Sequence, residues 1–167
     1  MPVEDPIPRP WITTEPGRLI GRGHPVGDFL EAWAWDVVEE TEGYLKVSAH
    51  LPTQVCNPRG QLFGGFTPTY VDLIALFTVR SRTRRAASGD PAWLATINMR
   101  LDYFEPILGP TFILDSRIEK QRGRTHVVLT RFLQGGELAV LAATTMREIG
   151  RRDQPGAQTP VGENDVI

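Results

Sequence analysis

The chain has 167 residues, and 41% of them are apolar, which is enough for one soluble domain with a core. Its formal net charge of -2 argues against nucleic acid and acidic membranes as partners. A single cysteine, Cys56, rules out an internal disulfide and a cysteine-based metal site. No apolar run reaches the roughly 18 residues of a membrane helix, and the N-terminus lacks signal-peptide features, so a cytoplasmic protein is expected.

Residues 1–27 are rich in proline and glycine without a hydrophobic period, so we expect an arm wrapped on the surface. Within it, GRGHPVG (21–27) has the wrong glycine spacing for a dinucleotide loop and follows no strand. The next segment, DFLEAWAW, suggests a short helix with Asp28 as its N-cap. Residues 149–167 have little to bury and are expected to be disordered. The domain is therefore placed at 28–148.

Alternation of apolar and polar residues predicts five strands. They are Leu45 to Leu51, Ile97 to Tyr103, Thr111 to Lys120, Thr125 to Leu133 and Leu138 to Met146. The connections among the last four are short (LGP, QRGR and QGGE), so these strands are expected to form a meander of antiparallel hairpins. In the second strand the alternation places Ile97, Met99, Leu101 and Tyr103 on the core side.

A long helix is predicted from about Gly65 to Arg82, with Pro68 in its first turn. Its apolar residues point all round the axis, so protein is expected to enclose it. This order of elements predicts an α+β fold in which a five- to six-stranded antiparallel sheet wraps around one long central helix. The sheet edge and helix ends still need covering, which favours a homodimer.

Two glycines, Gly64 and Gly65, stand where this helix begins. They let the backbone turn sharply and approach a ligand closely, because no Cβ is in the way. The unpaired N–H groups and positive dipole end of a helix N-terminus attract negative charge. Such groups can polarise a carbonyl and hold a developing oxyanion, and one donor is typically worth about 3–4 kcal/mol in a transition state.

Asp72 is the one charged residue between these glycines and Arg80. An acid in an otherwise apolar helix is expected to be buried, where a carboxylate becomes a stronger base. It could attack an acyl carbon or activate a water molecule, and the Asn57 amide could hold that water. Seven residues of helix separate Gly65 from Asp72, roughly 10 Å, which is too far for both to act on one carbonyl. We therefore expect them to meet across two subunits.

These residues also have purely structural readings. The two glycines would suit a tight strand-to-helix turn, and Asn57 before Pro58 is a common turn signal. Asp72 could be a buried acid satisfied by Thr69 or an arginine. The glycines and the acid together, at this spacing, favour the functional reading.

The motif Asn57-x-x-Gly60-x-x-Phe63-Gly64-Gly65, followed by Asp72, resembles the signature of hotdog-fold acyl-CoA thioesterases of the PaaI-like, 4-hydroxybenzoyl-CoA thioesterase type. The strand order is also similar, and the resemblance covers roughly residues 28–148. It implies a hotdog fold and a homodimer, or a dimer of dimers, that hydrolyses acyl-CoA without a metal or cofactor.

The resemblance also implies roles for single residues. Asp72 would be the nucleophile or general base, and Gly64 or Gly65 would supply the N–H that polarises the carbonyl. Asn57 would orient water, and Thr96 lies where related enzymes place a hydroxyl that helps to position that water.

Substrate contacts follow from the same resemblance. Gly60 and Phe63 would lie against the substrate, and Phe63 stands where many members have a histidine that contacts the thioester. Coenzyme A phosphates would lie near Arg122, Arg124 and His126, although these residues also suit an exposed hairpin and a packed strand. The arginines after the helix are interpreted as complementing its dipole: Arg80, Arg82, Arg84 and Arg85.

The first functional hypothesis is therefore an acyl-CoA thioester hydrolase. A second is a hotdog domain that binds acyl-CoA or another acyl ligand without hydrolysing it, which the loss of histidine at Phe63 favours. A hotdog dehydratase is the weakest of the three, because that chemistry generally uses an Asp-His pair and no histidine lies near Asp72 in sequence.

Overall fold

The computed structural model describes residues 11–13, 15–84 and 93–149. The predicted disordered tail, apart from Ile149, lies outside the described residues, and so does Arg85. Two α-helices and six β-strands form the described part of the chain. Their bounds are α1 Pro25–Phe29, β1 Asp36–Thr41, β2 Tyr44–His50, α2 Thr67–Arg84, β3 Trp93–Tyr103, β4 Thr111–Arg122, β5 Thr125–Gln134 and β6 Glu137–Ile149.

The six strands form one antiparallel sheet in the order β1-β2-β4-β5-β6-β3, and α2 packs against it. The predicted α+β hotdog architecture, with a long helix held by the sheet, is therefore confirmed. Strands β4, β5 and β6 form the expected meander. The prediction that β3 pairs with β4 is wrong, because β3 pairs with β6 at the sheet edge.

The connection from β3 to β4 explains that error. Seven residues lie between Tyr103 and Thr111, and they pair with the loop before α2 rather than forming a hairpin. Leu62 donates its N–H to the carbonyl of Ile107, and Gln61 forms a bridge with Leu108. The connection therefore carries the chain from the edge strand to the middle of the sheet.

The N-terminal region differs from its prediction in three ways. Helix α1 begins at Pro25 and is capped by His24, whereas the Asp28 carboxylate accepts a hydrogen bond from the Gly23 N–H. Leu19 and Ile20 are buried in the core, so this part of the arm is not a surface wrapping. Strand β1 was not predicted, because its sequence DVVEET is acidic and has a bulge that breaks the alternation.

An aromatic stack fixes α2 against the sheet. Tyr70 of α2 lies 5.5 Å from Trp35 and 5.3 Å from Phe112, measured between ring centroids, and Phe112 lies 5.7 Å from Phe132. The Tyr70 hydroxyl donates to the carbonyl of His50 at 3.0 Å. Burial raises the pKa of Tyr70 well above its usual range. This stack sets the position of α2, the helix that carries Asp72.

Removing one ring of this stack should be costly. Phe132→Ala should lower the free energy of unfolding by about 3–5 kcal/mol, because it leaves a cavity beneath α2. The control Val38→Ala changes a residue that is 55% exposed on β1, and its effect should stay within about 0.5 kcal/mol. Urea unfolding of both variants tests this, and equal effects would contradict the assignment of the stack.

Candidate functional site

A cleft of about 380 Å³ runs beside α2. Its lining residues are His24, Val26, Pro68, Thr69, Asp72, Leu73, Leu76 and Met99. The stripe of α2 that carries Asp72 faces this cleft, so the helix is not enclosed on every side. Asp72 is exposed in the single chain, and the expectation of a buried carboxylate is wrong for one chain alone.

The Thr96 hydroxyl donates a hydrogen bond to Oδ1 of Asp72. This contact joins α2 to β3, and it brings together two of the residues that the sequence assigned to catalysis. The hydrogen bond fixes one carboxylate oxygen of Asp72, and no hydrogen bond from the described residues reaches Oδ2.

A bulge in β3 makes this contact possible. Alternation in a regular strand would place Thr96 and Met99 on opposite faces, because they are three residues apart. The pairing of β3 with β6 shifts register between Thr96 and Asn98, which lets both side chains face α2. The same shift turns Ile97 outward, where it is 57% exposed, so its predicted place on the core side is wrong.

Gly64 and Gly65 open a short 3-10 turn, Gly64–Phe66, that leads directly into α2. Its first backbone hydrogen bond runs from the Phe66 N–H to the Phe63 carbonyl, so the N–H groups of both glycines precede the hydrogen-bonded ladder. A larger residue at position 65 would require the Phe63 ring to move. A Cβ there would lie 2.8 Å from Cε1 of Phe63, whose ring is 53% exposed.

The loop before these glycines is a hydrogen-bonded turn. Oδ1 of Asn57 accepts from the N–H groups of Arg59 at 2.9 Å and Gln61 at 3.1 Å. Gly60 has a φ of +73°, a conformation that favours glycine. The side-chain hydrogen bonds of Asn57 all stay within this loop, so the structure gives Asn57 and Gly60 turn roles and leaves their catalytic and substrate roles as predictions.

The glycine turn and the Asp72 carboxylate, the two halves of the predicted site, are hydrogen-bonded to different parts of β3. The Tyr103 hydroxyl donates to the carbonyl of Gly64 at 2.9 Å, near the C-terminal end of the strand. Asp72 is held by Thr96, near the N-terminal end. Helix α2 thus runs antiparallel to β3, with the glycine turn at one end and the carboxylate toward the other.

The hairpin between β4 and β5 carries Arg122 and Arg124, both of which are exposed. The strand register aligns Thr96 with Met146 and Met146 with His126, so this hairpin lies at the same end of the sheet as Thr96. His126 itself is 1% exposed, and its Nε2 lies 2.8 Å from Oε1 of Glu148. The strand therefore turns the His126 side chain inward in the single chain, and its contact with the substrate stays a prediction.

His24 lines the cleft, and sequence reasoning missed it. Its Nδ1 accepts a hydrogen bond from the Gly27 N–H at 3.0 Å, and the residue caps α1. Burial and the charge of Arg80 lower the pKa of His24. The signal in the sequence was Pro25, since proline at the first position of a helix marks the preceding residue as the cap.

Comparison with known proteins gives one family match. Residues 59–141 match the sequence model of the thioesterase superfamily. No curated protein matches the chain in sequence. Among the described residues, no helix is long and apolar enough to cross a membrane.

Solved structures share the fold. A phenylacetic acid degradation-related protein from Ralstonia eutropha has 21% identity, a TM-score of 0.63, and coverage of 76% of this chain and 92% of its own. The PaaI protein of E. coli has 16% identity, a TM-score of 0.63, and coverage of 76% and 86%. A Streptococcus mutans protein bound to acetyl CoA has 23% identity, a TM-score of 0.59, and coverage of 70% and 89%.

These comparisons agree with the resemblance seen in the motif. The prediction of a hotdog-fold thioesterase similar to PaaI is confirmed, and the superfamily match supports thioester hydrolysis. Neither comparison assigns a role to a single residue of this chain.

Proposed function

We propose, from the match of residues 59–141 to the thioesterase superfamily, that the chain hydrolyses acyl-CoA thioesters at a site built by two copies of the chain. The observation that carries the proposal is the Asp72 carboxylate, which Thr96 orients at the side of an otherwise largely apolar cleft. A solved relative bound to coenzyme A and another bound to acetyl CoA support acyl-CoA as the ligand.

The chemistry begins at the free oxygen of Asp72. As a general base, Oδ2 takes a proton from water, and the oxygen of that water forms a bond to the thioester carbon. The carbonyl oxygen becomes an oxyanion, which a backbone N–H of Gly64 or Gly65 stabilises. Collapse of this intermediate breaks the C–S bond, and the proton returns to the leaving thiolate of coenzyme A. In the nucleophilic variant, Oδ2 attacks the carbon directly, the C–S bond breaks, and coenzyme A leaves as a thiolate that takes a proton from water. The hydroxide so formed then hydrolyses the mixed anhydride, which releases the free acid and restores the Asp72 carboxylate.

In this proposal the N–H donor to the oxyanion and the Asp72 base belong to different subunits. Within one chain, Gly64 accepts a hydrogen bond from Tyr103, whereas Asp72 accepts one from Thr96 near the other end of β3. If two β3 strands pair antiparallel about a two-fold axis near Met99, Thr96 of one strand comes opposite the Tyr103 region of the other. That pairing brings Asp72 beside Gly64 of the partner subunit. It also covers the exposed carboxylate, which would exclude bulk water from the reacting groups.

The two edges of the sheet differ in a way that favours β3 as this interface. β1 presents Asp36, Glu39 and Glu40, and charged side chains on an edge strand oppose edge pairing. The eleven residues of β3 carry one acid and one arginine, and they expose Trp93 and Ile97. An edge with unpaired backbone groups and exposed apolar side chains is suited to association with its own copy.

The phosphates of coenzyme A require cations. Arg122 and Arg124 project from a hairpin at the Thr96 end of the sheet, and both are exposed. We therefore assign the nucleotide to the hairpin, from which the pantetheine arm would reach the cleft.

Two substitutions test the acid and its partner. Asp72→Asn keeps the shape of the side chain but removes the base, so kcat should fall by about 10²–10⁴-fold. Thr96→Val removes only the orienting hydroxyl, and we expect a smaller loss of about tenfold. Thiol release from a panel of acyl-CoAs measures both.

Asp36→Asn is the matched control, since it removes a carboxylate from β1, at the opposite edge of the sheet, that pairs with Arg18. Full activity in a folded Asp72→Asn protein would refute the assignment. Absence of thiol release from the unmodified protein, together with thermal stabilisation by acyl-CoA, would instead support a binding domain.

A charge on either sheet edge tests the interface. Ile97 on β3 and Val38 on β1 are 57% and 55% exposed. Ile97→Lys should convert the dimer to a monomer and reduce activity with it, because lysine blocks edge pairing. Val38→Lys should leave both unchanged. Light scattering and thiol release measure the two effects, and dissociation by Val38→Lys alone would place the interface on β1.

A further inference from the structure

Tyr103, the last residue of β3, connects the sheet to the glycine turn. Its backbone pairs with Val140 of β6, and the next residue, Phe104, donates its N–H to the carbonyl of Ala139 at 2.8 Å. The Tyr103 hydroxyl donates to the carbonyl of Gly64 at 2.9 Å. The side chain therefore ties the turn to a part of the backbone that the sheet already holds in place.

The Gly64 carbonyl accepts two hydrogen bonds. Besides the Tyr103 hydroxyl, it accepts the backbone N–H of Thr67, where the 3-10 turn passes into α2. A carbonyl oxygen has two lone pairs, so both of its acceptor positions are filled. The peptide unit between Gly64 and Gly65 is thus held from the turn itself and from β3.

The same peptide unit carries the N–H of Gly65. A trans peptide is planar, and its C=O and N–H point in opposite directions, so fixing the Gly64 carbonyl also fixes the direction of the Gly65 N–H. Hydrogen bonds accepted by the carbonyl polarise the peptide and make its N–H a stronger donor. The Gly65 N–H precedes the first hydrogen bond of the turn, from Phe66 to Phe63, so the turn does not use it.

The N–H of Gly64 belongs to a different peptide unit. The carbonyl of that unit is the Phe63 carbonyl, which accepts from the Phe66 N–H at 2.9 Å and not from the Tyr103 hydroxyl. Tyr103 therefore acts on the N–H of Gly65 rather than on the N–H of Gly64, which distinguishes the two glycines.

We propose that Tyr103 is a positioning residue for thioester hydrolysis, which holds the Gly64–Gly65 peptide so that the Gly65 N–H is the donor to the oxyanion. This inference rests on the proposed function and deepens it, because the reaction described above uses either glycine. The oxyanion carries its charge in the transition state and not in the bound substrate. Loss of the Tyr103 hydroxyl should therefore lower kcat more than it weakens substrate binding.

The proposed dimer gives this end of β3 a partner across the interface. Antiparallel pairing of two β3 strands brings the Tyr103 region of one strand opposite Thr96 of the partner subunit. Tyr103, which is 52% exposed in the single chain, would then lie within the shared site. The two β3 strands of the interface would each orient one reacting group, the Gly65 N–H through Tyr103 and the Asp72 carboxylate through Thr96.

Tyr103→Phe tests the role of the hydroxyl, because it keeps the ring and removes only the donor. With acetyl-CoA, hexanoyl-CoA and benzoyl-CoA as substrates, kcat should fall by about three- to tenfold, the value of one neutral hydrogen bond, with KM little changed. Tyr44→Phe is the matched control, since it removes a hydroxyl on β2 that donates to Asp115 at 3.2 Å, and it should leave both constants unchanged. An unchanged kcat in Tyr103→Phe would overturn the proposal.

A double-mutant cycle tests whether Tyr103 acts through Gly65. Gly65→Pro removes the N–H itself, so adding Tyr103→Phe to a folded Gly65→Pro protein should cause no further loss of its residual kcat. A second loss as large as that in the unmodified background would overturn the assignment of the donor to Gly65. Thermal unfolding of each variant shows that the proteins compared are folded.

An infrared measurement makes the result independent of turnover and of the folding of Gly65→Pro. The same three acyl-CoAs, labelled with ¹³C at the carbonyl, are bound to Asp72→Asn with and without Tyr103→Phe. A hydrogen bond from the Gly65 N–H lowers the C=O stretching frequency of the bound thioester, and Tyr103→Phe should raise that frequency again. Tyr44→Phe should leave it unchanged.

The outcomes separate this proposal from the proposed hydrolysis. A frequency that depends on Tyr103, in a protein whose unmodified form releases no thiol, would refute hydrolysis and support the role of Tyr103. Thiol release with a kcat and a frequency that do not depend on Tyr103 would refute the role of Tyr103 alone. Neither thiol release nor a bound carbonyl band with any of the three acyl-CoAs would refute both.

Discussion

The bulge in β3 is the constraint on which the rest of the site depends. It lets Thr96 and Met99 face the same helix although they are three residues apart, so one strand both orients the Asp72 carboxylate and lines the cleft beside α2. A regular strand would turn one of them toward the opposite face. The aromatic stack around Tyr70 supplies the second fixed point, because it holds α2 at the depth where Asp72 reaches Thr96.

The exposure of Asp72 in a single chain and the apolar edge of β3 have one common explanation. A carboxylate open to water is a poor base for a thioester, and an edge that exposes Trp93 and Ile97 is poorly suited to remain unpaired. Pairing of two β3 strands removes both features at once. In the proposed dimer, the interface is thus part of the catalytic machinery and not only a source of stability.

Some of this arrangement could be predicted from sequence because its signals are local. The period-two pattern gave β4, β5 and β6, and the apolar run after Gly65 gave α2. Other features depend on tertiary contacts, which have no local signal. β1 is held in the sheet by pairing with β2 despite its acidic sequence, and the β3 bulge reversed the expected side of Ile97. The pairing of β3 with β6 depends on a seven-residue connection that looked like a hairpin turn.

In the candidate site too, some residues had a signal in the sequence, whereas the placement of others depends on tertiary contacts. Asp72 was identified as the one acid in an apolar helix and Thr96 by motif resemblance, and the two side chains are hydrogen-bonded. The inward turn of His126 follows from the face of β5 that packs on the core, which the motif does not encode. His24 was missed because its arm was read as irregular, and only the folded chain brings it beside α2.

The central claim is that base and oxyanion donor come from different subunits, and mixed dimers test it most directly. One chain would carry Asp72→Asn and the other Gly65→Pro, which removes an N–H that lies ahead of the helical ladder. Each variant is first checked for folding and dimerisation by gel filtration, and each alone should be nearly inactive. Random mixing should restore about a quarter of the unmodified activity, because half of the dimers are mixed and each has one intact site. Folded, exchanging chains that recover nothing would contradict the account.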